Sequence, residues 1–527
     1  MLAAFLFVLF VLARVLVFVL GWHPAFADIG LQLLLLMPAV LIGLRTATAH
    51  AQVPRVPTWV LGALITVFVL AGCWANRVAV AGGGGDEWAY RFQGSLLATG
   101  HASVPAPPGY PHFNHHIIAN GRWYTKFPPG FPVFLALASR LGMIAVVNVL
   151  LGVVMLWLAF RTACLLYSER EARLALFLLV CSPFVFCNCL AVMSHPLCGC
   201  LLAASVYFHF RAVRTGGRLS DVAAMLAGIA AATLVRPFTG ALFGIILGSA
   251  TCWQSRRDRP RLARILALCG LFAGIAVGVN GVYNRATTGR FDRFPYAMYD
   301  RAYVPQEIVP DLASVESNLK HGPSSTWQCS FPLLFVAAGF ALWRDRERRA
   351  EAIVLAALFL SLVAGYALNR WSWGTPGGCR FYFEAYTSVG LLGARGVALF
   401  LERRDAAGRI AWYLGPLAAT SILLAGLTVP KYFRAAQPYI AVRSAVSAGP
   451  ALRDAVVFMK ANEPAFYPKF LNVNQARWQT EPVFYAPDPG LEEREGFVRG
   501  LGRSCWVVVS YDTSSHRASL SSVAHLQ

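Results

Sequence analysis

Acidic residues are scarce in this chain. Its 527 residues carry 26 Asp and Glu against 46 Lys and Arg, and charged residues of every kind reach only 14%. A soluble globular chain carries about a quarter, so that class is excluded. The 12 cysteines include no C-x-x-C pair. Cys187 and Cys189, like Cys198 and Cys200, are two apart within apparent helices, so their thiols diverge and read as small packing groups rather than metal ligands. Internal symmetry is missing too: the halves show no inverted repeat with matched Gly- or Pro-broken helices, which argues against an uptake transporter. The basic residues are scattered rather than gathered on one face, which argues against a nucleic-acid partner.

What is present is apolar. Hydrophobic residues make up 57% of the chain and mean hydropathy is +0.53. Runs of about 17–25 apolar residues, the length that crosses a bilayer core as helix, recur throughout. They predict an all-α polytopic membrane protein of about 11–13 helices, with spans at 2–20, 28–44, 57–76, 143–160, 174–193, 195–210, 221–236, 237–253, 265–283, 330–343, 351–369, 384–402 and 410–429. The shorter runs at 221–236, 237–253 and 330–343 suit tilted, broken or re-entrant helices. Leu2 to Leu20 lacks a small-residue cleavage site and reads as a retained helix, not a signal peptide.

Arginine placement predicts the orientation. With the N-terminus in the cytoplasm, nearly every short inner loop is basic: Arg45 and Arg55, Arg161 to Arg173, Arg211 to Arg218, Arg256 to Arg264, Arg344 to Arg349, and Arg403 to Arg409. The net charge of +20 then follows from topology and contact with anionic membrane lipids. Segments 77–142, 284–329, 370–383 and 430–527 fall outside. Three parts are expected: two N-terminal helices over 1–56, a membrane module over 57–430, and a small periplasmic α/β domain over 431–527. The last has strand-like runs at Ala455–Met459 and Trp506–Ser510 and a tail expected to fray from Thr513. Cys329, Cys379 and Cys505 lie near the outer side, where one disulfide is allowed.

The first outer loop holds the most unusual chemistry. Gly82 to Gly85 lead into Asp86 and Glu87. Two carboxylates at a membrane face are costly unless they perform chemistry or meet a cation. The plain alternative is that Asp86 caps a helix opening at Trp88. The stretch Trp88–Thr99 is amphipathic through Tyr90, Phe92, Leu96 and Leu97 and is expected to lie flat in the interface. Farther on come His112, His115 and His116, then Trp123 to Gly130 with Lys126. His112 and His115 with Asp86 and Glu87 would make a divalent-metal site, although ordinary hydrogen bonding by the histidines is the simpler reading.

The acidic pair after a span and the Lys126-to-Pro129 motif resemble the C-type (GT-C) glycosyltransferases. Ser194-His195-Pro196, Arg236-Pro237, Tyr283-Asn284, Thr288-Gly289, Phe294-Pro295-Tyr296 and Gly378 to Glu384 fit the same pattern. Within the class, the chain is most similar to bacterial relatives of protein O-mannosyltransferases and of the lipid A aminoarabinose transferase. The resemblance covers roughly 57–430 and departs from the pattern in its two extra N-terminal helices and short C-terminal domain.

The resemblance implies a polyprenyl-phosphate-linked sugar donor, an envelope glycan, lipid or protein acceptor at the outer face of a bacterial inner membrane, and inversion at the anomeric carbon. It makes Asp86 the candidate base, with Glu87 orienting the acceptor, supporting Asp86 or binding a cation. The departing phosphate calls for cations and donors, which makes Lys126, Arg380 and Tyr382 candidates. Their plain alternatives are a snorkelling Lys126 and an Arg380 paired with Glu384. Arg236 ends a span on the outer side and needs a carboxylate or phosphate partner. His116 and His195 are further substrate candidates, with His195 beside Pro196 otherwise a helix-starting residue. A polyprenyl-linked polymerase or ligase, and a lipid-linked sugar flippase or transporter, are the competing classes.

Overall fold

The computed structural model of the protein describes residues 56–79, 85–108, 117–119, 121–298, 312–331, 334–369, 378–401, 418, 421–422, 437–438, 440–449, 452–461, 479, 481–515 and 517–526. The spans expected at 2–20 and 28–44, nearly all of 410–429, and His112, His115 and His116 lie outside the described residues.

The protein is a mostly helical, multi-span membrane protein with a small C-terminal sheet. Among the described residues five helices are long and apolar enough to cross a bilayer. These are α1 (Thr58–Ala79), α4 (Val147–Leu166), α7 (His195–Arg214), α10 (Arg259–Thr288) and α13 (Arg349–Ala367). A sixth span is broken into α5 (Glu169–Val180) and α6 (Pro183–Leu190), bent by 57°. Pro183 cannot donate a backbone hydrogen bond, and its ring crowds the preceding turn. Shorter helices fill the bundle: α3 (Gly130–Arg140), α8 (Leu219–Val235), α9 (Pro237–Gln254), α11 (Leu312–Cys329), α12 (Leu334–Arg344) and α14 (Tyr386–Leu401).

Helix ends follow local chemistry. The span expected at 265–283 sits inside a 30-residue helix. Asp258 caps its start by accepting from the Arg261 amide, and Gly289 stops it in the left-handed conformation with φ 81°. At the opposite end of the bundle Arg395 donates to Glu171 at 3.0 Å and to Asp345 at 2.7 Å, tying α14 to α5 and to the α12–α13 turn.

α12 and α14 cross closely because position 396 has no side chain. A Cβ on Gly396 would lie 1.8 Å from the Ala337 carbonyl oxygen, a backbone atom that cannot swing aside. Gly396→Ala is expected to destabilise the bundle by about 1–3 kcal/mol through overpacking. A thermal midpoint in detergent that stays at the wild-type value would refute that close crossing.

The described part of segment 77–142 is structured. Helix α2 (Gly85–Ala98) is followed by a three-stranded antiparallel sheet of β1 (Val104–Pro105), β2 (Ile117–Ala119) and β3 (Arg122–Thr125), with β3 in the middle. The apolar face of α2 was expected to meet lipid; instead it packs on protein. Tyr90, Phe92 and Leu96 are buried, with Phe92 set edge-on against Trp123.

The C-terminal region forms β4 (Ala455–Ala461), β5 (Val483–Pro487), helix α15 (Leu491–Gly500), β6 (Cys505–Asp512), β7 (Arg517–Leu520) and β8 (Ala524–His525). β5, β4 and β6 run parallel, and β7 and β8 pair antiparallel to β6. The tail therefore does not fray as expected: it covers an edge of β6 that would otherwise expose unpaired backbone groups. A core this small is marginal alone. It is completed by Phe92, Leu96, Ile117 and Trp123, which join Val456, Phe458, Val507 and Val509 in one cluster.

Candidate active site

Asp86 does not cap a helix opening at Trp88. Helix α2 begins at Gly85, so Asp86 and Glu87 sit inside its first turn, where the helix dipole favours negative charge. Asp86 Oδ2 accepts a hydrogen bond from Arg380 Nη2 at 2.8 Å. Both side chains stay reachable, 19% and 30% exposed. Arg380 opens the 3-10 segment Arg380–Ala385, two residues after Gly378, which is left-handed with φ 94°. Its guanidinium lies 5.5 Å from the centre of the Phe381 ring. Helical geometry turns Glu87 about 100° away from Asp86, and its charge acts on Arg91 one turn on.

Lys126 follows β3 in the loop that leads to α3. Its Nζ lies 5.4 Å from the Phe127 ring centre and 5.8 Å from that of Tyr296. Phe127 stacks on Tyr90 at 3.9 Å, and the Tyr283 hydroxyl donates to its carbonyl at 3.2 Å. Tyr90 is one helical turn beyond Asp86, so the lysine loop and the acid share an aromatic wall. Asp86 and Arg236 also lie close enough to the Tyr296 hydroxyl for their charges to act on it. The loop is seated by Gly130, where a Cβ would lie 2.7 Å from the Leu234 carbonyl carbon, two residues before Arg236.

Behind this rim is a buried polar cluster. Arg236 breaks the chain between α8 and α9 in an extended conformation, with Pro237 starting the next helix. Its Nε lies 3.1 Å from Glu384 Oε1, the carboxylate partner its position calls for. Its Nη1 donates to Ser194 Oγ at 3.3 Å, and its Nη2 to the Tyr366 hydroxyl at 3.0 Å. Tyr366 in turn meets Thr239 Oγ1 at 2.7 Å. Ser194 also accepts from the Tyr90 hydroxyl at 2.9 Å. Burial pushes the Tyr90 phenol far above its ordinary value, against the pull of Arg236, so it stays a neutral donor.

Arg380 and Glu384, four residues apart, do not pair with each other; Arg380 takes Asp86, and Glu384 takes Arg236 and His195. His195 does open α7 beside Pro196, and its Nδ1 lies 3.0 Å from Glu384 Oε1. Tyr382 is fully buried, its ring edge-on to Phe359 and its hydroxyl against Gly322 of α11, among none of the residues around Asp86. Cys329, Cys379 and Cys505 are not joined by a disulfide. Among the described residues no three His, Cys, Asp or Glu side chains gather as a metal site, and Asp86 is engaged by Arg380.

Sequence reasoning missed Tyr90, Ser194, Thr239 and Tyr366 as members of the cluster. Their hydroxyls are ordinary in a membrane helix until a buried guanidinium needs partners.

Residues 126–282 match the family described as dolichyl-phosphate-mannose-protein mannosyltransferase. Crystal structures of ArnT from Cupriavidus metallidurans superpose over nearly their whole length. The apo form gives a TM-score of 0.55 at 15% identity, covering 88% of this chain and 98% of its own. The chain has the C-type glycosyltransferase fold. The undecaprenyl-phosphate-bound form of the same protein gives 0.54 at 13% identity, with coverage of 88% and 98%. No curated protein sequence matches the chain. At such identities the C-type fold is shared, and the chemistry has to be argued from the residues.

Proposed function

We propose that the protein is an integral membrane glycosyltransferase that moves a sugar from a polyprenyl-phosphate carrier to a hydroxyl of an envelope glycan, lipid or protein. The observation that carries this reading is the meeting of Asp86 and Arg380 at 2.8 Å, with Lys126 held on the aromatic wall of the same helix. One carboxylate and two cations, drawn from three separate segments, fit an acceptor proton and a departing phosphate. The C-type fold, whose relative ArnT binds undecaprenyl phosphate, supports the choice of carrier. The basic inner loops support an inner-membrane protein whose site faces the periplasm.

The reaction is a single in-line displacement. The acceptor oxygen forms a bond to the anomeric carbon as the bond from that carbon to the phosphate oxygen breaks. The acceptor proton passes to an Asp86 carboxylate oxygen. Lys126 and Arg380 stabilise the charge on the departing polyprenyl phosphate, the lysine as a point charge and the arginine through its planar fork. Before donor binding, Arg380 is held by Asp86. A phosphate that draws Arg380 toward itself frees Asp86 to accept a proton, so donor binding readies the base. Glu87, turned toward another face, is assigned to the acceptor side.

The direct test supplies purified protein with labelled polyprenyl-phosphate sugar and an envelope extract. A new glycoside and free polyprenyl phosphate are expected. Transfer from a diphosphate-linked donor alone would instead point to a polymerase or ligase, and movement of the lipid without bond making to a flippase. Lys126→Ala is expected to lower kcat/KM by about 10²–10³, the range for removing one donor to a developing anion. Lys126→Arg should retain more of the activity, because the positive charge remains. Equal losses in the two variants would contradict the assigned role.

A further inference from the structure

Glu384 is fully buried, yet nothing in the reaction above uses it. Its surroundings fix the protons around it. Arginine only donates, so His195 Nε2, 3.3 Å from Arg236 Nη1, must accept. The histidine proton therefore sits on Nδ1 and is donated to Glu384 Oε1 at 3.0 Å. The same oxygen faces Arg236 Nε at 3.1 Å. A buried ion pair of this kind is weak evidence for stability alone, since apolar residues of similar volume often serve as well. What the pair does hold is geometry.

Two limbs run from Glu384. Along the first, the 3-10 segment Arg380–Ala385 carries it together with Arg380. Along the second, Arg236 reaches Ser194, Ser194 holds the Tyr90 hydroxyl, and one turn of α2 separates Tyr90 from Asp86. The limbs meet where Arg380 donates to Asp86. Resting on the transfer reaction proposed above, we infer that Glu384 is a positioning residue that sets the Asp86–Arg380 pair from both sides, through the 3-10 segment and through Arg236–Ser194–Tyr90. Glu384 does not itself touch the substrate in this assignment; it acts by holding the two groups that do.

The test uses the full-length protein with Glu384→Gln and Tyr90→Phe. The first keeps an acceptor oxygen and the side-chain volume but loses the charge. The second removes one hydroxyl from the second limb and keeps the ring. Each folded variant is expected to lose about 10- to 100-fold in kcat, the range in which small misplacements act, with donor KM little changed. The double variant should fall no further than the weaker single one, because both act through one network. Wild-type kcat in folded Glu384→Gln, or losses that simply multiply in the double variant, would overturn the inference. A structural pillar would lower the thermal midpoint and leave the kcat of the folded fraction intact.

Amide exchange is read in parallel on peptides covering 85–98 and 380–385. Glu384→Gln should speed exchange in both segments, and unchanged exchange in either would overturn the inference. If wild-type protein transfers nothing from a polyprenyl-phosphate donor, the reaction reading fails, and the exchange result still decides the positioning role.

Discussion

Asp86→Asn should lower sugar transfer by about 10²–10⁴, the range lost with a positioned general base. Asparagine keeps an oxygen that can accept from Arg380 Nη2, so the contact now at 2.8 Å can survive. What it loses is the capacity to take the acceptor proton. Asparagine also matches aspartate in volume, so a small effect on folding is expected. The measurement is transfer of labelled sugar at matched protein abundance. A rate near that of wild type would remove Asp86 from the chemistry and leave the pair as an interhelical tie.

Arg236→Ala should act on the fold as much as on the reaction. It leaves Glu384, fully buried, without its cation. Breaking a buried ion pair by removing one partner costs about 3–5 kcal/mol, a large share of the roughly 5–15 kcal/mol that holds a domain folded. The expected result is a sharp loss of monodisperse protein on size exclusion and a lower thermal midpoint. Replacing both partners, Arg236→Met with Glu384→Leu, should recover much of the abundance, because no unpaired charge is left in the interior. It should not recover transfer, since the ties to Ser194 and Tyr366 are gone. A single variant as stable as wild type would show that the pair does not hold the fold.

These two residues differ in how far the sequence revealed them. Asp86 was conspicuous: acids are scarce here, and this one follows a glycine run beside a span. Arg236 was conspicuous as a cation on the wrong side of a span, and its need for an anion was legible, although the anion was not. Local spacing suggested that Glu384 would answer Arg380, its neighbour four residues away. The 3-10 segment instead carries Arg380 to Asp86 and Glu384 to Arg236, more than a hundred residues away in sequence.

The amphipathic stretch expected over Trp88–Thr99, nearly all of which lies in the helix Gly85–Ala98, makes the same point. Its amphipathic pattern was correctly read as a helix with one apolar face, but pattern alone does not say what covers that face. Lipid and protein satisfy it equally, and here Phe127, Phe131 and Trp123 do so. The tail after Thr513 is polar and short, features that describe a frayed end as well as an edge strand. It is ordered because β6 has an edge to fill.

By itself the sequence determined that this protein spans a membrane many times. Helix in lipid is dictated by local apolar length, which is readable residue by residue. It also marked Asp86, Lys126, Arg236 and Arg380 as unusual, because a charge in an apolar chain is visible without a partner. Only the tertiary structure decided the partners. Pairing energy depends on distances across the bundle, set by close contacts such as Gly130 on Leu234 and by left-handed residues such as Gly378, and no spacing along the chain encodes them.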